Sequence, residues 1–545
     1  MRLFLAVLLF SSLLLPGSVT PPLLLGKGGQ GRGVKKLPPI PRKARVIYLV
    51  DLRLQPLDRQ LLAVSLQGVL NASARRPFVY VRLVDNDPRW LEAAQQSQPP
   101  LPVQVSIDEL FEKFRGYIGQ QILYDPALPH TINLATIFAG LEGAVITPRD
   151  LGLKTIYDFR DRERFGDRYK AYRWAVEEAL PRCCSDRVAV LDTGLPHLRD
   201  YLIAQRIFTV DLDPLNDPQD IALLKSIFSQ FPPSATVLGW ASGKYARQGQ
   251  DGVTVENAFI ALLSEYGHHL VASDFIPNLS FHQGIRVRTR FRPHLTRVYG
   301  PEKVYVTFLM SDGDNAQFDY NRMLDLWRDA DRGKVPLGWT ISPALMEMAP
   351  DLLAKYIQDA ASSAKDDLVM GPSGYGYCNP ARLAHSEKFF ALTGRAAKAT
   401  GISAAAIIDY ESAAKLREIF RRMGSETGLQ GFFLIRHGIE GIFGRLAVAD
   451  EDIRFGGQSP EELARQIEQA GARNRFIFVY VDAWSRTPHD IVQAVRSLPQ
   501  RYVVVGPYDF LRLMKTAKEG RTLCPPNILY SLNKNGKPKP GQSCT

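Results

Sequence analysis

The sequence predicts a multi-domain α/β protein: small N-terminal Rossmann-like α/β domains followed by a larger C-terminal (β/α) barrel-like domain of seven strands. Three observations carry this expectation. Short apolar runs alternate with segments of helical periodicity along most of the chain, the pattern of parallel sheets with crossover helices. The 545 residues exceed one core and correspond to roughly three or four domains. From Val304 onward, seven apolar runs of 4–7 residues recur with helical segments between them, which suits a barrel. A doubly wound open sheet is the structural alternative.

Taken in order, Met1-Arg2 precede an apolar run from Leu3 to Leu15 and then Pro16-Gly17-Ser18-Val19-Thr20. Residues 1–20 therefore read as a secretory signal peptide, and the expected location is secreted, periplasmic or cell-surface. The run is shorter than the ~20 apolar residues of a spanning helix. No later run approaches that length, so no transmembrane span is expected beyond the signal segment. Residues 21–44 are a basic Pro/Gly linker. The first α/β domain is expected over 45–150, with strands at 45–50, 77–81 and 143–147 and helices at 57–70 and 131–141. A second α/β region over 151–285 has strands at 187–191, 207–210 and 235–238 and helices at 169–180, 198–205 and 218–231. Asp217 stands in the N-cap position of that last helix and Pro218 at its first turn, where no amide donor is missed. The C-terminal domain spans 286–515, with runs at 304–310, 335–341, 367–370, 404–408, 431–435, 476–481 and 502–505. A basic tail, 516–545, follows.

Hydrophobic residues make 45% of the chain and charged residues 23%, which excludes a disordered, collagenous or coiled-coil protein. The formal charge of +11 sits at the ends. Seven cations lie between Lys27 and Arg45, the segment from Lys515 onward adds a net five, and Arg2 one more, which leaves −2 for Val46 to Met514. The body thus offers no basic field to phosphate backbones, and no nucleic-acid partner is expected. Five cysteines cannot form a dense disulfide scaffold. Cys524 and Cys544 can pair in the tail, Cys183 and Cys184 are adjacent, and Cys378 lies in a Gly/Tyr loop. Asn71-Ala72-Ser73 and Asn278-Leu279-Ser280 are sequons.

The unusual polar residues follow the strands of the C-terminal domain, where α/β sheets place ligand chemistry. The first strand runs into Ser311-Asp312-Gly313-Asp314-Asn315. Two carboxylates and an amide there can act as acid and base or ligate a cation, whereas a plain turn accounts for one such residue. The second strand carries Trp339 and ends at Ser342, with an aromatic face as a flat apolar platform or as core filling. The third leads into Gly371-Pro372-Ser373-Gly374-Tyr375-Gly376-Tyr377-Cys378-Asn379-Pro380, a loop presenting two phenols between glycines. Later strands bring Asp409, Arg436-His437, Asp482-Ala483-Trp484 with His489 nearby, and Asp509. Neither a metal signature of the H-E-x-x-H or paired C-x-x-C kind, nor G-x-S-x-G, nor a P-loop, nor G-x-G-x-x-G after the first strand is present.

The loop Gly374-Tyr375-Gly376-Tyr377-Cys378-Asn379-Pro380 resembles the signature of the GxGYxYP family, named for glycoside hydrolysis, with Asn379 where the pattern has its last tyrosine. The resemblance extends to Met310–Asn315 and Gly338–Pro343, and toward the N-terminus to Leu66–Asn71, Asn133–Thr136, Leu198–Tyr201 and Asn278–Ser280. It implies small α/β domains ahead of a barrel-like domain, secretion, and carbohydrate as substrate. On that reading Asp312, Asp314 and Asp482 are the expected catalytic carboxylates, with Asp312 or Asp314 paired against Asp482 across the barrel. Asn315, Trp339, Ser342, Ser373, Tyr375, Tyr377, His437 and Trp484 are the expected substrate-binding residues. No cofactor is required. Two alternatives stand beside it. In one, a divalent cation at Asp312/Asp314 with His437 or His489 serves a carbohydrate deacetylase or esterase. In the other, a non-catalytic protein stacks sugars on Trp339, Tyr375, Tyr377 and Trp484.

Overall fold

A computed structural model describes residues 46–519 except 75, 98–100, 242, 296–298 and 436–437. The signal segment, the linker, Arg436-His437 and the tail with Cys524 and Cys544 lie outside the described residues. Four sheets are built among the described residues. The first holds β1 (Val46–Asp51), β2 (Val79–Arg82) and β3 (Leu101–Gln104), all parallel in the order 2-1-3. The second holds β4 (Gln120–Leu123), β5 (Val145–Thr147) and β6 (Lys154–Asp158) in the order 5-4-6. The boundary expected at residue 150 falls inside this sheet, so three small sheets precede the C-terminal domain. The third holds β7 (Arg187–Val190), β8 (Phe208–Val210), β9 (Thr236–Gly239) and β10 (His269–Ala272) in the order 10-9-7-8. Asp217 caps the helix Pro218–Phe228 as its position implies, accepting from the amides of Gln219 and Asp220.

The C-terminal sheet has ten strands: β11 (Val304–Met310), β12 (Leu337–Ile341), β13 (Asp366–Met370), β14 (Ala404–Ile407), β15 (Gly431–Leu434), β16 (Gly441–Phe443), β17 (Leu446–Asp450), β18 (Ile453–Phe455), β19 (Phe476–Val481) and β20 (Tyr502–Val504). All seven expected runs form strands. The path runs β16-β17-β15-β14-β13-β12-β11-β19-β18, with β20 beside β11, and every pairing except β16 with β17 is parallel. It is an α/β sheet with interleaved helices and not a closed ladder. One stretch of chain nevertheless serves both ends of the path. β17 pairs with β15, and β18, two residues further on, pairs with β19. The sequence pattern hid this stretch because Asp450-Glu451-Asp452 interrupts its apolar run. All seven residues of β11 are buried, as a central parallel strand requires.

Polar side chains weld the small sheets to one another. Gln67, in the helix Leu57–Ser73, donates to Asn278 Oδ1 at 2.6 Å, and Asn71 of the same helix donates to Ser280 Oγ at 3.1 Å. The Ser280 amide donates to Asp200 at 2.8 Å. The neighbouring Arg199 donates to Asn133 Oδ1 at 2.9 Å and Thr136 Oγ1 at 2.7 Å. Both sequon asparagines, Asn71 and Asn278, are buried in this joint, so neither is open to glycosylation in the folded chain. Asn278 also reaches Asp87 at 3.3 Å, and Asp87 accepts from Tyr320 Oη at 2.5 Å, which carries the network into the C-terminal domain. Trp90 packs against Tyr320 with ring centroids 5.6 Å apart and donates to its carbonyl at 2.8 Å.

The Gly/Tyr loop makes the other junction. The amide of Tyr377 donates to Leu270 O and the Leu270 amide to Tyr377 O, both at 2.8 Å, so the loop pairs antiparallel with the edge strand of the third sheet. Tyr375 sets its ring edge-on to His269 at 5.5 Å, and Arg187 reaches Glu347 at 2.8 Å alongside. Gly376 is required by the approach itself: a Cβ there would lie 2.7 Å from Leu270 O and from the His269 ring. Gly376→Ala should therefore cost about 1–3 kcal/mol in urea unfolding. Gly116→Ala, in the helix Ile107–Ile118 where a Cβ meets nothing within 4 Å, should be neutral or stabilising by roughly 0.5–1 kcal/mol. Equal effects at the two positions would contradict the close-packed junction.

Candidate active site

The turn after β11 is shaped by its neighbours before it presents any chemistry. The Gly313 amide donates to Thr340 Oγ1 at 2.8 Å, and that hydroxyl donates to Met310 O at 2.8 Å. A Cβ on Gly313 would sit 2.0 Å from the Thr340 carbonyl, so only glycine lets the turn lie flat on β12. Asp312 takes a left-handed φ of 76°, a conformation an aspartate tolerates better than most residues and one that recurs at functional sites. Asn315 ends the turn as the N-cap of the helix Ala316–Tyr320, accepting from the Phe318 amide at 3.2 Å.

Asp312 and Asp314 are half-buried and are joined by a carboxyl that came from outside the C-terminal domain. Glu256, on the helix Gly252–Glu265 that follows β9, is also half-buried. Burial pushes it up to about 7, with the charge of Asp312 adding to the effect and a hydrogen bond from Tyr377 opposing it. Burial likewise drives Asp314 well above the usual carboxylate range, reinforced by the charges of Asp312 and Glu256. Asp312 is held lower, at about 6. There too burial raises it, the Ser311 hydroxyl lowers it by donating at 2.8 Å, the charge of Asp482 raises it, and Arg454 and Trp484 lower it. Burial and mutual charge both oppose full ionisation of the three carboxyls, so their titration belongs to the set.

The far side is furnished by β19. Side chains alternate across a strand, so Tyr480 and Asp482 share a face, and the buried Tyr480 phenol is pushed up by burial and by the charges of Asp312 and Asp314. The Asp482 carboxylate accepts from the Trp484 amide at 3.0 Å and the Ser485 hydroxyl at 2.7 Å. Trp484 is 55% exposed, with Phe318 edge-on at 5.3 Å. Of the large apolar side chains exposed among the described residues, three are aromatic: Trp484, Tyr410 and Phe275. Trp484 and Tyr410 flank this cluster. Tyr410 acts on Tyr377 and Arg454, and the Phe275 amide donates to Gln317, beside Phe318, at 2.7 Å.

The structure thus brings together Asp312, Asp314, Asp482, Tyr377 and Trp484. It places other candidates elsewhere. Trp339 is buried in the helix-facing core against Trp327, its indole donating to Asp366 at 2.8 Å, so it offers no platform. Tyr375 belongs to the domain junction. Ser373 donates to Cys378 O at 2.8 Å and braces the loop from within. The Ser342 amide donates to Asp319 at 3.0 Å behind Asp314, and its hydroxyl has no protein partner. His437 lies outside the described residues. His489 bonds Asp331 at 2.5 Å, away from the carboxyls. Among the described residues no three His, Cys, Asp or Glu side chains are arranged to hold a metal ion.

Residues 302–515 match the GxGYxYP putative glycoside hydrolase C-terminal domain, and residues 187–284 match the GxGYxYP third domain. The chain belongs to the GxGYxYP family. A crystal structure titled as a putative hydrolase from Bacteroides thetaiotaomicron superposes with a TM-score of 0.75 at 20% identity, covering 89% of this chain and 96% of that one. It shares the fold. A putative polysaccharide deacetylase from Mycobacterium smegmatis reaches a TM-score of only 0.28 at 10% identity, over 43% of this chain and 97% of that one. Curated proteins yield no match.

Glu256 supplies a direct test of the cluster. Its folded-state pKa of about 7 lies above the ordinary 4.5, so the folded chain holds this proton more tightly than the unfolded chain does. The resulting stability is fully present below pH 4.5 and is lost as pH rises through 7. Glu256→Gln removes that loss. Its thermal midpoint relative to wild type should climb across this window, by the equivalent of at most ~3 kcal/mol before solvent screening. A midpoint difference that stays flat with pH would place Glu256 outside the cluster.

Proposed function

We propose that this protein hydrolyses glycosidic bonds in a neutral oligosaccharide or polysaccharide, outside the cytoplasm as its leader suggests, at the mouth of a (β/α) barrel-like domain. The barrel reading is supported by residues 446–455, which pair at both ends of the strand path, the Glu451 amide donating to Leu434 O and the Asp452 amide to Phe478 O, each at 3.0 Å. The reaction is carried by one observation: carboxyls from two domains are buried together, their pKa values raised by that burial and by one another's charge, with the exposed Trp484 and Tyr410 beside them.

Glycoside hydrolysis needs one carboxyl that keeps its proton and one that loses it. Asp314, pushed furthest up, is suited to protonate the departing glycosidic oxygen, with Glu256 holding that proton in place by like-charge pressure. Asp312, nearest to ionising at neutral pH, is suited to attack the anomeric carbon or to take a proton from the attacking water. Asp482, itself held by Trp484 and Ser485, sets the field at Asp312. Trp484 and Tyr410 bind the apolar faces of sugar rings, and Tyr377 links the motif loop to Glu256. The His489 arm of the deacylase alternative is not favoured, because His489 is engaged with Asp331, while His437 lies outside the described residues.

Reducing-end release from a panel of polysaccharides and oligosaccharides tests this. Wild type should release ends from at least one glycan, and Asp314→Asn and Asp312→Asn should each lose about a hundredfold to ten-thousandfold in rate while keeping their fold. Unchanged rates in both variants would remove these carboxyls from the chemistry. Release by neither wild type nor variants from any glycan, with acetate liberated from acetylated glycans, would transfer the site to deacylation.

A further inference from the structure

The third sheet has its own topological switch point, the place where open α/β sheets form a crevice. Its order 10-9-7-8 reverses direction between β7 and β9, and in open α/β sheets ligands bind at the carboxyl ends of the strands beside such a reversal. There the chain places Asp192 after β7, Lys244 after β9 and Asp274 after β10, with His197 on the loop from Asp192. Lys244 spans Asp192 at 2.8 Å and Asp211 at 2.7 Å. Asp274 is only 7% exposed, and its Oδ1 has no hydrogen-bond partner. Burial, aided by the charge of Asp192, pushes it up to about 6, while Gln317 hydrogen-bonds the carboxyl and leaves Oδ1 over. Both ring nitrogens of His197 are buried and unpartnered as well. The ring lies 5.3 Å from that of Phe275, which is 45% exposed.

This is not a phosphate site. The amides after β7 that would cradle a phosphate are already taken: Gly194 donates to Asp192 at 2.8 Å and Thr193 to Asp211 at 3.3 Å. The surrounding carboxylates repel an anion. What fits is an uncharged ligand with an apolar face for Phe275 and hydroxyls that both donate and accept, for Asp274 and His197. The crevice also adjoins the carboxyl cleft directly. Asn315 bridges to Ala272 at the end of β10, and the helix it caps holds Phe275 through Gln317 and Trp484 through Phe318.

We propose that this crevice is a second sugar subsite continuous with the cleft at Asp312 and Asp314, so that the substrate is a neutral oligosaccharide long enough to lie across both. The proposal rests on the glycosidase reading above and deepens it. The test is binding of neutral gluco-, manno-, xylo- and galacto-oligosaccharides, from disaccharides to hexasaccharides, to the full chain carrying Asp314→Asn, which prevents turnover.

For the series that binds, affinity should rise with length. Adding Phe275→Ala or the isosteric Asp274→Asn should remove that rise, a loss of about five- to tenfold on the hexasaccharide, while disaccharide affinity stays put. Trp484→Ala should weaken all lengths alike. A hexasaccharide that binds no better than a disaccharide overturns the subsite and leaves the glycosidase reading standing. So does a Phe275→Ala or Asp274→Asn variant that keeps the full hexasaccharide affinity or weakens all lengths together. If no glycan of any length binds, subsite and reading fall together. Matching thermal midpoints for Asp274→Asn and its parent exclude a folding defect as the cause of any loss.

Discussion

The arrangement depends on a buried polar joint that fixes the small sheets before any site can exist. Gln67, Asn71, Asn133, Arg199, Asp200, Asn278 and Ser280 are all buried and spend their side chains on one another or on neighbouring backbone. Desolvating such groups is costly unless every partner is in place, so the network tolerates one relative placement of its sheets and penalises others. Apolar packing alone would let those sheets slide. The left-handed φ of 63° at Asn278 lets its amide donate to Val81 O while its Oδ1 accepts from Gln67 and the Val81 amide. Through Asp87, which burial pushes up to about 6, the same network holds Tyr320. That residue closes the helix whose first turn is set by the carboxylate loop.

Rigid docking is what makes the acid cluster possible. Carboxyls on separate domains repel, and a loose interface would relieve that repulsion by opening. Here Glu256 is carried by a domain clasped through the Gly/Tyr loop on one side and through the polar joint on the other, so burial, with the mutual charge added to it, is expressed as raised pKa values instead.

Much of this was legible in the sequence, and what was not has identifiable causes. Continuous apolar runs such as Val304–Met310 announce buried parallel strands, and Asp217-Pro218 announces a helix start; both stand where expected. Asp312, Asp314 and Asp482 were readable because they directly follow such runs. Glu256 was not, because it sits inside an amphipathic helix where a glutamate is ordinary, and only the docking of two domains gives it neighbours. Trp339 misled in the opposite way: a tryptophan near a strand end reads as a platform, but its place in the two-residue alternation turns it to the helix layer, where Asp366 satisfies its indole. The strand stretch 446–455 was masked by three consecutive acids in its middle.

The two tyrosines of the motif show where sequence reading stops. Two residues apart between glycines, Tyr375 and Tyr377 look equivalent, yet one packs among His269, Arg187 and Glu347 while the other bonds Glu256. The separation is made by the backbone pairing with Leu270, which pins position 377 against the third sheet and leaves 375 on the far side of the turn. The departure at Asn379 follows from the same geometry. Position 379 docks through its main chain, its amide donating to Ser264 Oγ at 2.9 Å and its carbonyl accepting from the Arg382 amide at 3.0 Å. Both bonds are independent of the side chain, so an asparagine there preserves the clasp, while the phenol that reaches the acid cluster, at Tyr377, is retained.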